Sequence, residues 1–183
     1  MTSMDLTGWT WLNEPQKWSP TPLTVHADPG SDLWRLTGNG ITRDNGHLYA
    51  LSLTGDFTIT ATFTGEYAAQ YDQAGVGLLA DGETWIKAGV ELFDGELRAS
   101  TVVTRGFSDW NVARVEPFER FTVSAERSGD AVWVRYGTDG QEPVTLLRQA
   151  YFPPDVEVRV GIMAASPEGE GFVTQFHEVQ LTR

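Results

Sequence analysis

The chain has no cysteine, which excludes disulfides, thiolate metal sites and cysteine nucleophiles. Basic groups are scarce: 13 Lys+Arg stand against 25 Asp+Glu, a net charge of −12. Such a chain lacks the basic footprint that nucleic acid requires and is repelled by anionic membranes, so neither partner is expected. No run approaches the roughly 20 apolar residues of a membrane span. The opening MTSMDLTGWTW has no basic or apolar signal region, which predicts a soluble, cytoplasmic protein. The three histidines, His26, His47 and His177, are too far apart for a metal-ligand pair, so no metal centre is expected from them. No G-x-G-x-x-G, P-loop or G-x-S-x-G is present.

What is present is alternation. Phe57, Ile59, Ala61 and Phe63 alternate with Thr58, Thr60, Thr62 and Thr64. Phe121, Val123 and Ala125 repeat the pattern, as do Val132, Val134 and Tyr136, and then Val156, Val158, Val160 and Ile162. Period 2 means strands with one face in a core. The run FVTQFHEVQLT is strand-like with a less clean rhythm. Asp81-Gly82, Asp94-Gly95, Ser128-Gly129-Asp130 and Asp139-Gly140 fall between runs, where tight hairpin turns are expected. Pro153-Pro154 predicts an extended break before the penultimate strand. The 19 glycines and 9 prolines argue against long helices, and no window carries a 3.6-residue apolar stripe. Residues 1–183 therefore read as one all-β domain of two packed antiparallel sheets.

The stretch YDQAGVGLLADGETWIKAGVELFDG carries the functional signal. In its second run Ile86, Ala88, Val90 and Leu92 form the core face, and Trp85, Lys87, Gly89 and Glu91 the opposite one. The first run places Gln73, Gly75 and Gly77 on one parity, and the hairpin should set Gln73 beside Glu91. A glycine floor edged by Gln, Lys, Glu and Trp describes a shallow groove. Aromatic rings beside amides and carboxylates suit a carbohydrate, and 7 tryptophans in this length are more than a core needs. The plainer alternative for Lys87 and Glu91 is a same-face ion pair. Lys87 beside Glu91 is expected to keep that carboxylate ionised.

The run YDQAGVGLLADGETWIKAGVE, followed by STVVTRGFSDW and preceded by WLNEPQKW and SDLWRLTGNGITRDNGHLYA, resembles the regulation-of-enolase protein family over nearly the whole chain. It departs at Ala80, where that family often carries a basic residue. The resemblance implies a concanavalin A-like lectin/glucanase fold, a jelly-roll β-sandwich of two curved antiparallel sheets. It also implies a ligand site on the concave sheet. Matched positions include Asn13, Glu14, Trp34, His47, Tyr71, Asp72, Gln73, Trp85, Lys87, Glu91, Asp109 and Trp110. The glucanases of that superfamily carry paired acids on one strand as E-x-D-x-x-E. This chain has no such run, and Glu91 is the one acid of its strand.

The leading expectation is a module that binds a carbohydrate or similar polyhydroxylated small molecule, with a regulatory or auxiliary role in sugar metabolism. Trp34, Gln73, Trp85, Asp109 and Trp110 are its candidate ligand contacts. A carbohydrate-active hydrolase, lyase or isomerase is the second reading, with Glu91 as base and Lys87, His47 and Asp72 as catalytic partners. A protein-interaction regulator is the third. No cofactor is expected, although the oxygen-rich loops DPGSD (28–32) and TRDNG (42–46) leave calcium open. Ligand identity, catalysis, oligomeric state and any longer precursor are left open.

Overall fold

The computed structural model describes residues 4–183 and contains sixteen strands. Seven strands form one sheet in the order β1 (Thr10–Leu12), β6 (His47–Leu53), β15 (Val158–Ala165), β8 (Gln73–Asp81), β9 (Thr84–Phe93), β10 (Glu96–Arg105) and β11 (Phe107–Arg114). Seven more form the second, in the order β14 (Thr145–Tyr151), β13 (Ala131–Thr138), β12 (Phe121–Ser128), β7 (Phe57–Gly65), β16 (Phe172–Thr182), β3 (Leu23–Ala27) and β2 (Lys17–Pro20). All pairings within these sheets are antiparallel. A small hairpin, β4 (Leu33–Arg35) and β5 (Thr42–Asp44), joins neither sheet.

One apolar cluster between the sheets accounts for the alternation. Phe57, Ile59, Ala61, Phe63, Phe121, Val123, Ala125, Val132 and Val134 enter it from the second sheet. Val76, Leu78, Ile86, Ala88, Val90, Val160 and Ile162 meet them from the first. The expected turns are all present: Asp94, Gly95, Gly129, Asp139 and Gly140 adopt positive φ, as tight hairpins demand. The uneven rhythm of FVTQFHEVQLT has a local cause, a register shift between Phe176 and Glu178 in the pairing of β16 with β7.

The first sheet also has apolar residues on its other face. Leu48, Ala50, Met163 and Ala165 cluster there, and Leu33, Trp85 and Val102 form a second group beneath the β4–β5 hairpin. That hairpin is a flap fastened over the sheet. Its Arg35 N–H donates to Ser108 Oγ (2.8 Å), and the Arg35 guanidinium pairs with Glu83.

In mid-sheet Gly75 and Gly89 lie opposite each other. A Cβ on Gly75 would stand 2.0 Å from the carbonyl oxygen of Ala88, so the strands admit no side chain there. Gly75→Ala is expected to cost about 1–3 kcal/mol through overpacking. At roughly 2–4 °C per kcal/mol for a domain of this size, the melting temperature should fall by several degrees. Gly82→Ala, with open space around the turn, should leave it nearly unchanged. Thermal unfolding followed by circular dichroism compares the two variants.

A candidate ligand pocket under the β4–β5 flap

Gln73 pairs directly with Glu91 across the β8–β9 hairpin, and Gly77 with Lys87. Both polar side chains of β9 are deeply buried, Lys87 at 5% exposure and Glu91 at 6%. Above them opens a pocket of about 230 Å³. The sheet supplies its floor: Gln73, Lys87, Glu91, Val102 and Trp110. The flap adds Trp34, Asn39 and Arg43, and three loops add Asp32, Tyr71, and Pro167 with Glu168.

The floor is a wired polar network. Ser100 Oγ and Trp110 Nε1 both donate to Glu91 Oε2, at 2.7 and 2.9 Å. Among the described residues no donor reaches Glu91 Oε1, which is left to the pocket. Lys87 does not pair with Glu91, contrary to the same-face alternative. Its Nζ donates to Asp32 Oδ1 at 2.8 Å, and Leu33 N–H donates to the same oxygen at 2.8 Å. Gln73 Nε2 donates to the Tyr71 carbonyl at 3.1 Å.

The expectation that Lys87 keeps Glu91 readily ionised also needs correcting. Burial is the largest influence on Glu91 and raises its pKa above the ordinary 4.5, with the Asp32 carboxylate adding to the rise. The Lys87 charge and the bonds from Ser100 and Trp110 pull it back only in part.

The aromatic side is a wall rather than a single platform. Tyr71 stacks near Phe93 (centroids 6.0 Å), and Trp110 meets both edge-on, 6.2 Å from Tyr71 and 4.9 Å from Phe93. Tyr71 holds φ at 68°, a left-handed conformation that a bulky residue rarely accepts. Such strain persists only where surrounding structure enforces it, and it concentrates at functional sites. The Tyr71 N–H donates to the Leu92 carbonyl (2.7 Å), and the next residue, Asp72, anchors the turn. Its Oδ2 accepts from the N–H groups of Ala68 (2.9 Å) and Ala69 (2.8 Å), and its Oδ1 from Ser166 Oγ (2.6 Å).

Asp72 is therefore spent on these bonds and does not line the pocket. His47 is likewise spent elsewhere. Its Nδ1 donates to the Asn13 carbonyl (2.6 Å), and its Nε2 accepts from Asp28 N–H (2.9 Å). Trp85 has the parity expected of it but lies under Leu33, 3% exposed, and lines no part of the pocket. Asp109 points to the other side of β11, where its carboxylate sits 3.6 Å from Arg148. Of the nine candidate residues, Trp34, Gln73, Lys87, Glu91 and Trp110 come together.

Asp32 was read only as part of an oxygen-rich loop, and Tyr71 only as a motif position. The two oxygen-rich loops turn their groups on each other. Asp32 N–H donates to Asn45 Oδ1, Asn45 Nδ2 to the Gly30 carbonyl, and Gly46 N–H to the Asp32 carbonyl. Among the described residues no group of three His, Asp or Glu side chains is placed to hold a metal ion. Among the described residues no helix is long and apolar enough to cross a membrane.

The fold is that of the concanavalin A-like lectins and glucanases. The chain superimposes on carbohydrate-binding module CBM66 from Bacillus subtilis over 98% of both chains, with a TM-score of 0.58 and 17% identity. It also superimposes on the GH43 BlXynB protein of Bacillus licheniformis with a TM-score of 0.71 and 14% identity, covering 96% of this chain and 36% of that one. At those identities the likeness is one of fold. Residues 11–183 match the family described as "protein of unknown function (DUF1349)", and the chain belongs to that family. It is 34% identical over 181 residues to regulation of enolase protein 1 of Saccharomyces cerevisiae, covering 97% of this chain and 91% of the relative. The crystal structure of a functionally unknown protein from Saccharomyces cerevisiae matches with a TM-score of 0.91, 34% identity and 98% of both chains. The family resemblance read from the motifs thus holds.

The burial of Glu91 has a measurable consequence. A carboxyl with a raised folded-state pKa contributes stability that is fully present below about 4.5 and lost as pH rises through the folded value. Glutamine keeps an acceptor for Ser100 and Trp110 without the charge. Glu91→Gln should therefore gain on the native protein as pH rises from 4 to 8. Urea unfolding across that range reads the difference, and a gap independent of pH would contradict the assignment.

Proposed function

We propose that the pocket binds a carbohydrate or similar polyhydroxylated small molecule, and that the protein acts as a regulatory or auxiliary binding module. The observation that carries this reading is the Glu91 carboxylate, buried and fixed through one oxygen, with the other turned into an aromatic-walled cavity. Buried charge is costly, and convergent polar groups in a partly apolar pocket are the ordinary signature of a ligand site. Rings of Trp34, Tyr71 and Trp110 offer faces for C–H surfaces, while Asp32, Gln73, Lys87 and Glu91 offer hydroxyl partners. One structural neighbour is by name a carbohydrate-binding module, and the yeast relative is named for regulation of enolase. Both support the class of ligand or the regulatory role, and neither identifies a particular sugar.

The raised pKa of Glu91 favours a second reading, a proton donor or acceptor acting on the bound sugar. His47 and Asp72 do not line the pocket, which leaves Glu91, Asp32 and Glu168 as its carboxylates.

A thermal-shift screen against neutral sugars, sugar phosphates and oligosaccharides tests the proposal. A ligand at a hundred times its dissociation constant adds about 2.7 kcal/mol. That is a shift of several degrees in a domain of this size. Trp34→Ala, which removes one wall without touching the buried network, should weaken the hit about tenfold. A screen in which no compound stabilises the native protein would sink the proposal. Recovery of the bound sugar unchanged after incubation supports the module, and its conversion supports the second reading.

A further inference from the structure

The pocket floor is unbalanced in its hydrogen-bonding groups, and this narrows the ligand class within the reading just proposed, on which it rests. The donors of the floor are mostly committed. Trp110 Nε1 and Ser100 Oγ are spent on Glu91, and Gln73 Nε2 on the Tyr71 carbonyl, with Asp32 Oδ1 at 3.5 Å. Lys87 gives one of its three N–H groups to Asp32, and at the pocket edge Arg43 gives one of its five to the Pro167 carbonyl at 3.1 Å.

Three acceptors are not committed. Among the described residues no protein donor reaches Glu91 Oε1, Asp32 Oδ2 or Gln73 Oε1, and none of the three is sealed from the pocket. The charge balance points the same way. Asp32, Glu91 and Glu168 line the pocket against Arg43 and Lys87, and the one buried cation is already paired with Asp32. Among the described residues Glu91 has no counter-ion within ion-pair distance.

A neutral hydroxyl brings one donor and no charge. A protonated amine brings three donors and the missing positive charge, and it is favoured among aromatic rings such as Trp34, Tyr71 and Trp110. We propose that the ligand is a cationic amino sugar or amino polyol whose ammonium group sits at Glu91 Oε1. Its hydroxyls occupy Asp32 Oδ2 and Gln73 Oε1, and Arg43 and Glu168 border the mouth.

Calorimetric titration of the native protein near neutral pH with shape-matched pairs tests this: glucose and glucosamine, galactose and galactosamine, mannose and mannosamine. The amine of at least one pair should bind about tenfold more tightly than its neutral partner. Glu91→Gln should erase that preference, with affinity for the neutral partner changed far less. Neutral sugars binding as tightly as their amines in every pair that binds would overturn the cationic assignment and leave the polyol reading standing. A preference that survives in Glu91→Gln, in protein with a native circular dichroism spectrum, would overturn the role given to Glu91. Binding by none of the six sugars would overturn this inference, while the wider screen of sugar phosphates and oligosaccharides decides the polyol reading.

Discussion

An ammonium group buried in the middle of a sheet must find a counter-ion, and Lys87 finds one 55 positions away in the chain, in Asp32. Removing charges from water costs several kcal/mol per ion unless they are paired and hydrogen-bonded. Much of the loop structure on that side follows from meeting this cost. Asp32 holds its place because Asn45 binds its N–H and Gly46 its carbonyl. Ser31 Oγ accepts from Ser166 N–H (3.0 Å), and Gly30 N–H donates to the Ser166 carbonyl, which ties the Asp32 loop to the turn after β15. Ser166 in turn donates to Asp72, which anchors the turn beside Tyr71. The two carboxylates Asp32 and Asp72 thus fix opposite walls of the same pocket through one serine.

The sandwich was legible because its signal is local. A residue's parity on a strand decides its face whatever it pairs with, so Phe57, Ile59, Ala61 and Phe63 could be assigned to the core without knowing their neighbours. The Asp-Gly turns have the same local character. Register was legible only where a short turn sets it, as in the pairing of Gln73 with Glu91. The order of strands across each sheet, and the bulge near His177, depend on distant pairings that no short window encodes.

The site was half legible for the same reason. Gln73, Lys87 and Glu91 share the sheet face that parity indicates, and Trp34 and Trp110 came with the motif. Asp32, Tyr71, Arg43, Pro167 and Glu168 arrive from loops and the flap, and their convergence rests on contacts across the chain. Trp85 shows how parity can mislead, since its face is right but Leu33 of the flap covers it. His47 and Asp72 look like catalytic groups in a sequence because their partners are backbone atoms, which leave no mark in the residue pattern. The excess of buried polar side chains around DPGSD and YDQ was the available signal for both walls, but it did not distinguish a wall from the post that braces it.

The flap gives the two halves of the pocket different resistance to opening. The floor belongs to a seven-stranded ladder, and the amides of its central strands are expected to exchange most slowly. The β4–β5 flap pairs with itself over three residues and bends through Leu36, Gly38 and Gly40, all at positive φ. Beyond that it is held by Leu33, by the Arg35–Ser108 bond, by Arg43 on the Pro167 carbonyl, by Asn13 on the Asp44 carbonyl and by the surface ion pair to Glu83. Lifting it breaks a handful of contacts and leaves the main core whole. The amides of residues 33–44 are where occupancy of the pocket would register as slowed hydrogen exchange.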